Sequence, residues 1–552
     1  MKISNPKSII LRSGDLILVK ALPYLIMLPR VRLPGLLPRK NNQKDFKEME
    51  KYLLISILII ALTGCNNRQS NSEGSLSIPP NILIVTADDL AYNSVGAFGC
   101  KVPGITPNID KLAEEGIRFT QAHVNTPVCQ PCRQSWLTGR FPHNNGAEGF
   151  EPIDEDVPTL PELLKSKGYI NGILGKEIHH QPRDRFFWDF IPFKTERDSL
   201  WRKGHSRNPD LFYRYSKQFF DIAKDQGKPF FLSANSHDPH RPFVGSRSDT
   251  LTWGDNMPPV TRQISPDEAE MLGYLPDIEN VRKEVAQYYG SVYRCDQNIG
   301  AVLKALQESG LEKNTLVIFL SDHGAAFPFS KAQCYLNSSK TPLIVKWPGT
   351  ITPGSVDSSH FVTGIDLMPT LLKIAGLPLV PKLDGESFLP LLYNKKQKDR
   401  DYAYSSFYQI FARVRYTMRC IQNEEFGYIY NFWSDQQLEI RGDATGGLTW
   451  RAMIKAAETD PEIAKRVELF KYRVPEEFYH FKEDPDGLIN LAGDPAYAHE
   501  LKKFRKKMLK MMKRYNDPAY EAYRDRDQTG VIGGFMEKQR EKAKNTKPVE
   551  RF

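Results

Sequence analysis

Apolar runs of strand length, separated by amphipathic stretches, predict an α/β fold: a large, mixed, mostly parallel sheet sandwiched by helices, followed by a smaller C-terminal α+β subdomain with an antiparallel sheet. Three observations carry this. Asn81–Thr86, Tyr169–Leu174, Pro229–Asn235 and Thr315–Leu320 are apolar with little alternation, as strands buried on both faces are. Helical patterns lie between them. The 552 residues, 40% hydrophobic and 26% charged, make a globular composition too long for one ordinary domain, which excludes a mainly disordered chain, a collagen-like fibre and a multi-span membrane protein.

The first segment reads as a leader rather than as part of the fold. Met49-Glu50-Lys51 is a short charged start, and Tyr52–Leu62 is an apolar run too short to cross a bilayer of about 30 Å. Leu62-Thr63-Gly64-Cys65 then resembles the bacterial lipobox, in which the cysteine takes a diacylglycerol, so Cys65 is a candidate lipidation site and the bacterial cell envelope the expected location. Residues 1–48 fit no signal pattern, which makes Met49 the alternative start. Asn66–Pro80, polar and Ser-rich, reads as a tether.

The net charge of +9 belongs mostly to this leader. Residues 1–65 hold eleven Lys and Arg against four Asp and Glu, a contribution of +7, so about +2 is left for everything else. A nucleic-acid partner is therefore not expected.

Each later element has a local reason. Thr106-Pro107 opens a helix that Gly116 closes, and Gly168 stops a helix over Leu160–Lys167. A long helical pattern fills about Val281–Ser309, and Asp366–Ala375 is helical before Gly376. No repeat recurs at a fixed period.

The residues just after each strand are more telling than the strands themselves. Asp88-Asp89 come after the first, Gly175-Lys176 with His179-His180 after the second, His237-Asp238-Pro239-His240-Arg241 after the third, and Ser321-Asp322-His323-Gly324 after the fourth. Open α/β sheets place their sites at the carboxyl ends of strands. One such cluster is often a solvated turn or a helix cap; four together point to chemistry.

The chemical centre is Cys129-Gln130-Pro131-Cys132-Arg133, continued to Leu137-Thr138-Gly139-Arg140. A zinc knuckle needs a second ligand pair, which the chain lacks, and a redox CxxC belongs in a smaller thioredoxin-like unit. The segment instead resembles the motif of type I sulfatases, C-x-P-S/A/C-R followed by L-T-G-R/K. The resemblance extends from Asn81 to about Tyr520 and includes Glu477–Phe481, Asp484-Pro485 and Asn490–Ala492. It implies an alkaline-phosphatase-like fold, with residues 81–395 the catalytic domain, 396–527 the C-terminal subdomain and 528–552 a loosely held tail.

The resemblance also implies the chemistry. Cys129 is converted to formylglycine (3-oxoalanine) by a formylglycine-generating or anaerobic sulfatase-maturating enzyme, and one Ca2+ is held by Asp88, Asp89, Asp322, His323 and the oxygen of residue 129. A hard cation on carboxylate oxygens suits the dispersed charge of a sulfate ester, although a nitrogen ligand is less usual for calcium. A hydroxyl of the hydrated aldehyde attacks sulfur, His237 protonates the leaving alcohol and His179 acts as base, with His180 as its alternative. Arg133 orients the nucleophile, while Lys176 and Lys331 clamp sulfate oxygens.

Within the family, Thr315–Phe319 with Phe327–Ser330, and Phe230–Leu232 leading to His237–Arg241, resemble heparan N-sulfatases (sulfamidases). His323 and Lys331 stand where those relatives carry Asn and Arg. These departures count against N-sulfate, and by analogy with the surface lipoprotein sulfatases of bacteria that digest polysaccharides the expectation is a sulfatase acting on O-sulfate of an algal glycan such as ulvan, ahead of a heparan-type N- or O-sulfatase. A phosphatase of the same superfold and a non-catalytic glycan-binding lipoprotein are weaker readings.

In the C-terminal part, Gly427–Phe432 is β-like, and Leu501–Arg514 is a basic helix expected to pack on the sheet. Cys100, Cys132, Cys295, Cys334 and Cys420 are expected to be mostly buried and reduced.

Overall fold

The computed structural model describes residues 79–195, 204–253, 257 and 259–545. The leader, the lipobox and most of the tether lie outside the described residues.

The large sheet has seven strands in the order β4-β5-β1-β6-β7-β2-β8. They are β1 (Asn81–Asp88), β2 (Ile117–Phe119), β4 (Ile170–Leu174), β5 (Phe230–Pro239), β6 (Thr315–Ser321), β7 (Leu343–Lys346) and β8 (Ser355–Asp357). β4, β5, β1 and β6 run parallel, β7 is antiparallel to β6 and to β2, and β8 is parallel to β2. A short parallel pair, β3 (Ala122–His123) with β9 (Val362–Thr363), stands apart.

β1 shows why the apolar runs do not alternate. All eight of its residues are buried, but they serve two cores. Leu83, Val85 and Ala87 join one apolar cluster, and Ile82 and Ile84 join the other. Successive side chains point to opposite faces, so a strand covered on both must be apolar at every position. On the first face lie α1 (Pro107–Glu114), α4 (Pro209–Gln226) and α5 (Glu279–Ser309); on the second lie α2 (Cys129–Thr138), α3 (Leu160–Ser166) and α6 (Leu367–Ile374). Thr159 and Glu162 form a capping box at the start of α3.

The C-terminal part holds α7 (Leu448–Ala456), α8 (Pro461–Tyr472) and α9 (Ala498–Arg514). Its antiparallel sheet has the order β10 (Ala403–Gln409), β11 (Arg415–Gln422), β12 (Phe426–Asn431), β13 (Glu476–His480). α9 lays Leu501, Phe504, Met508 and Met512 against it, with the Phe504 ring 5.4 Å from that of Phe478. Lys502, Lys503, Lys506, Lys510 and Lys513 are exposed and Lys507 lies over the Tyr402 ring at 4.1 Å, so the basic helix packs on the sheet. Tyr404, Tyr428 and Phe504 belong to the same apolar cluster as Leu83 and Val85, so the two sheets share a core.

One sequence reading needs correction. Within the stretch read as a loose tail, α10 (Val531–Asn545) forms and buries Met536 and Ala543. Its Phe535 ring sits 5.2 Å from Phe432, and Arg540 pairs with Asp435 at 3.0 Å. Gly533-Gly534 and the surrounding charges masked a helix that tertiary contacts stabilise.

Candidate active site

Sheet order assembles the site. β4, β5, β1 and β6 are parallel neighbours, so the residues that follow them emerge side by side at one edge. Asp88 and Asp89 come from β1, Asp322 and His323 from β6, Lys176 from the turn after β4, and His237 from β5. The ends of β1 and β6 are tied by the Asp89 amide, which donates to Asp322 Oδ1 at 3.1 Å, and by the Asp322 amide, which donates to the Ala87 carbonyl at 3.3 Å.

α2 brings in Cys129 at its first residue. Cys129 is 4% exposed, and its Sγ lies 3.3 Å from His323 Nε2. Arg133, one helical turn on, is fully buried. It donates to Asp322 Oδ2 through Nε at 3.1 Å and Nη2 at 2.8 Å, and through Nη1 to Thr86 and Asn235, both at 2.9 Å. Arg133 thus holds the ends of β1, β5 and β6 together beside Cys129. Cys132 donates to the Asp322 carbonyl at 2.9 Å, and all six described cysteines are free; Cys100 is half-buried and the other five are buried.

The donor set could hold a divalent metal ion. Asp88, Cys129, Asp322 and His323 each offer an atom, all within 4.8 Å of one another. Asp88 Oδ1 and Asp89 Oδ1 are buried without a hydrogen-bond partner among the described residues, an arrangement that costs free energy unless a ligand completes it. His323 Nδ1 donates to the Gly324 carbonyl at 3.0 Å, because a carbonyl can only accept. This fixes the tautomer and leaves the Nε2 lone pair facing Asp89 Oδ1 at 3.5 Å and Asp322 Oδ1 at 3.7 Å.

Two lysines flank these acids. Lys176, at φ +61°, pairs with Asp88. Lys331 lies 2.9 Å from Asp89 Oδ2 and 2.7 Å from Asp443 Oδ2. Burial alone would raise the Asp88 carboxyl, but Lys176, His240, Arg133 and His237 hold it well below the usual range. Asp322 goes the other way, pushed up by burial and by the Asp88 charge beyond what Arg133 offsets. Burial, then Asp88, pushes the Cys129 thiol well up, which keeps an unmodified cysteine here protonated. Burial would lower Lys331, yet Asp443 and Asp89 raise it well above its ordinary value.

The histidines separate by environment. His179 ends a short turn after Lys176, with its ring 6.2 Å from Phe150. Burial, then Lys176 and Arg133, hold it well below its ordinary value, so it is neutral. His180 turns instead toward Phe186 and Trp188, at 5.0 and 5.6 Å. Lys176, Arg133 and Asp88 all act on His179, whereas His180 is held down by burial and Arg133. His237 Nε2 is 3.8 Å from Asp88 Oδ2 and its side chain is 26% exposed. Burial, then Lys176 and Arg207, push it well down.

The ten sequence candidates in the fold thus gather at one sheet edge, with Arg133 binding carboxylates, Thr86 and Asn235. Sequence reasoning missed Thr86, Asn235, His240 and Asp443. His240 stands in the His237–Phe243 run, and its Nε2 is 4.0 Å from Asp443 Oδ2. Asp443 comes from the C-terminal part, where no local signal marks it; Lys331 holds its carboxyl well below the usual range.

Residues 80–377 match the family model described as Sulfatase, and residues 323–441 match that described as N-sulphoglucosamine sulphohydrolase, C-terminal. The chain is 29% identical over 468 residues to N-sulphoglucosamine sulphohydrolase of Homo sapiens, covering 80% of this chain and 91% of that protein. It is 28% identical over 482 residues to an ulvan-active sulfatase of Formosa agariphila, covering 84% and 87%. Among solved structures, a 2-O GAG sulfatase superposes with a TM-score of 0.58 at 22% identity, covering 80% of this chain and 94% of that one.

Proposed function

The chain belongs to the sulfatase family, and from that premise we propose that it removes O-sulfate from an algal glycan of the ulvan type, using formylglycine at position 129 and one calcium ion. That it hydrolyses sulfate esters of sulfated glycans follows from the family and its relatives. The convergence of Asp88, Cys129, Asp322 and His323, flanked by two buried lysines, is the observation that carries the mechanism.

A calcium ion held by Asp88, Asp89, Asp322, His323 and the oxygen at position 129 would supply positive charge to the sulfate oxygens. Formylglycine would supply a hydrated aldehyde whose hydroxyl is a nucleophile toward sulfur. The chain's own residues do the rest. Lys176 and Lys331 donate to the non-bridging oxygens and stabilise the charge that develops on them. Arg133 keeps Asp322 in place one helical turn from the nucleophile. His179, neutral in its setting, would take the proton of the second hydroxyl of residue 129 once the sulfo group is on the first, so that sulfate leaves and the aldehyde is restored. His237, at the solvent-facing side, gives its proton to the leaving oxygen; an anion bound beside it opposes the Lys176 charge and favours the protonated ring.

A second reading is hydrolysis of a heparan-type N- or O-sulfate, favoured by the match of residues 323–441 to the N-sulphoglucosamine sulphohydrolase C-terminal model. His323 and Lys331 count against N-sulfate. One experiment addresses both: peptide mass spectrometry across Cys129 on protein made with a formylglycine-generating enzyme, then sulfate release from ulvan and heparan oligosaccharides. The expected results are a loss of about 18 Da at Cys129 and release from ulvan. Release only from heparan oligosaccharides would select the second reading. An unmodified cysteine with glycan binding intact would select a binding lipoprotein.

The same proposal places the enzyme on a bacterial cell envelope through lipid on Cys65. Cys65→Ala should move it from the detergent phase to the aqueous phase on partition; an unchanged distribution would remove the anchor.

A further inference from the structure

Asp443 stands at the mouth of the site with no task in the hydrolytic reaction. Its side chain is 56% exposed, whereas its partner Lys331 is 2% exposed and Asp89 fully buried. A carboxylate can only accept hydrogen bonds, and at the lip of an anion-binding site it opposes the charge of every substrate that enters.

Packing, and not Lys331 alone, sets its position. Gly442 at φ +144° opens the turn, and Thr445 Oγ1 closes it on the Gly442 carbonyl at 2.8 Å. The Leu448 and Thr449 amides, at the start of α7, donate to Glu284 on α5 at 2.9 and 2.6 Å. Glu284 pairs with Arg241, which donates to the Ala326 carbonyl at 2.8 Å. A Cβ at Gly447 would collide with the Arg241 guanidinium. The turn is thus clamped to the catalytic side of the molecule through Glu284 and Arg241 as well as through Lys331, and the clamp holds a negative charge where it disfavours anions in general.

Such an arrangement makes sense if the charge discriminates. Resting on the sulfatase reading, we infer that Asp443 is a specificity-determining residue: it accepts a hydrogen bond from a hydroxyl or amine on the sugar carbon next to the scissile sulfate, and it rejects sugars that carry a second anion there. The substrate class is then a glycan sulfated at one of two neighbouring positions. Sugars sulfated at both need prior removal of one group by a different sulfatase.

The test uses two matched pairs, rhamnose 3-sulfate with rhamnose 2,3-disulfate and glucosamine N-sulfate with glucosamine N,3-O-disulfate. Binding is measured by calorimetry on full-length Cys129→Ser protein and turnover on the matured enzyme, in the parent, Asp443→Asn and Asp443→Ala backgrounds. The parent should prefer the singly sulfated member of at least one pair by about tenfold or more, and Asn, which keeps the shape and removes the charge, should bring that ratio close to unity. Ala should in addition weaken the singly sulfated sugar by about tenfold, because its hydroxyl or amine loses a partner. A ratio unchanged in both variants overturns the inference. So does an equal loss on both members of a pair, which would make Asp443 a mere support for Lys331. Discriminating binding by protein whose Cys129 is formylglycine, with no turnover of any sulfated sugar, supports the subsite and overturns the hydrolytic mechanism alone.

Discussion

Two buried charge clusters in this molecule use similar side chains and are completed differently. Beneath the antiparallel sheet, Asp517 accepts from Arg419 Nε at 2.6 Å, Arg419 Nη2 at 2.9 Å, Tyr404 Oη at 2.7 Å and the Ala519 amide at 2.9 Å. Arg419 spends Nη1 on the Met418 and Phe407 carbonyls and lies over the Tyr408 ring at 4.5 Å. At the strand ends, Arg133 and the lysines meet three carboxylates, yet Asp88 Oδ1 and Asp89 Oδ1 keep no hydrogen-bond partner among the described residues. The first cluster is closed and serves the fold. The second is open, and its unmet demand is the free energy a ligand can collect.

The sharpest way to break this comparison is at the proposed nucleophile. Cys129→Ala should lower sulfate release by a factor of about 1,000 or more while leaving the melting temperature almost unchanged; wild-type-like turnover would sink the mechanism. The mirror experiment is Asp517→Ala, which leaves Arg419 buried and unpaired. It should cost about 3–5 kcal/mol of stability in denaturant titrations, with kcat near normal in whatever protein remains folded. A large loss of kcat with stability intact would mean the two clusters are not separate in function.

Acid sharpens the contrast by its sign. Burial pushes the Asp517 carboxyl up, but Arg419 overcomes this and holds it at about 2. The fold therefore favours the carboxylate. The stabilisation is present above the unfolded value of about 3.9 and fades as pH falls through about 2, an expected contribution of about 2–3 kcal/mol. Comparing urea unfolding of the parent and Asp517→Asn between pH 5 and pH 2 measures it, and parallel curves would refute the assignment. The smallest effect is expected at Lys331→Ala, about tenfold to a hundredfold in kcat/KM, because Lys176 remains on the other side of the site. Unchanged kinetics would place the sulfate clamp elsewhere.

How far the sequence could be read depends on the same geometry. Asn81–Thr86 and Asp88-Asp89 were legible together because a strand buried on both faces is apolar throughout, so the first charges after it mark its end. The Cys129–Arg133 motif was legible because one helical turn carries both side chains. Thr86 and Asn235 were not, since nothing local says that two polar residues inside apolar strands meet one guanidinium. His179 could not be separated from His180 by spacing, because a tight turn decides which ring packs on Phe186 and Trp188. Asp443 was out of reach: its bond to Lys331 joins parts of the chain more than a hundred residues apart, through a clamp at Glu284 that leaves no periodic trace. Helix α10 was hidden by its glycines and charges.

The burial of Cys129 has a consequence for how active protein is made. At 4% exposure, in a helix with all ten residues buried, the thiol offers no second enzyme a way in once the chain has closed around it. Under the proposed formylglycine chemistry, each copy is thus committed to being active or inert when it folds, and later treatment of native protein cannot move it between the two groups. The specific activity of a preparation then records a race between modification and folding during synthesis, and slowing folding should raise it without altering any rate constant of the mature enzyme.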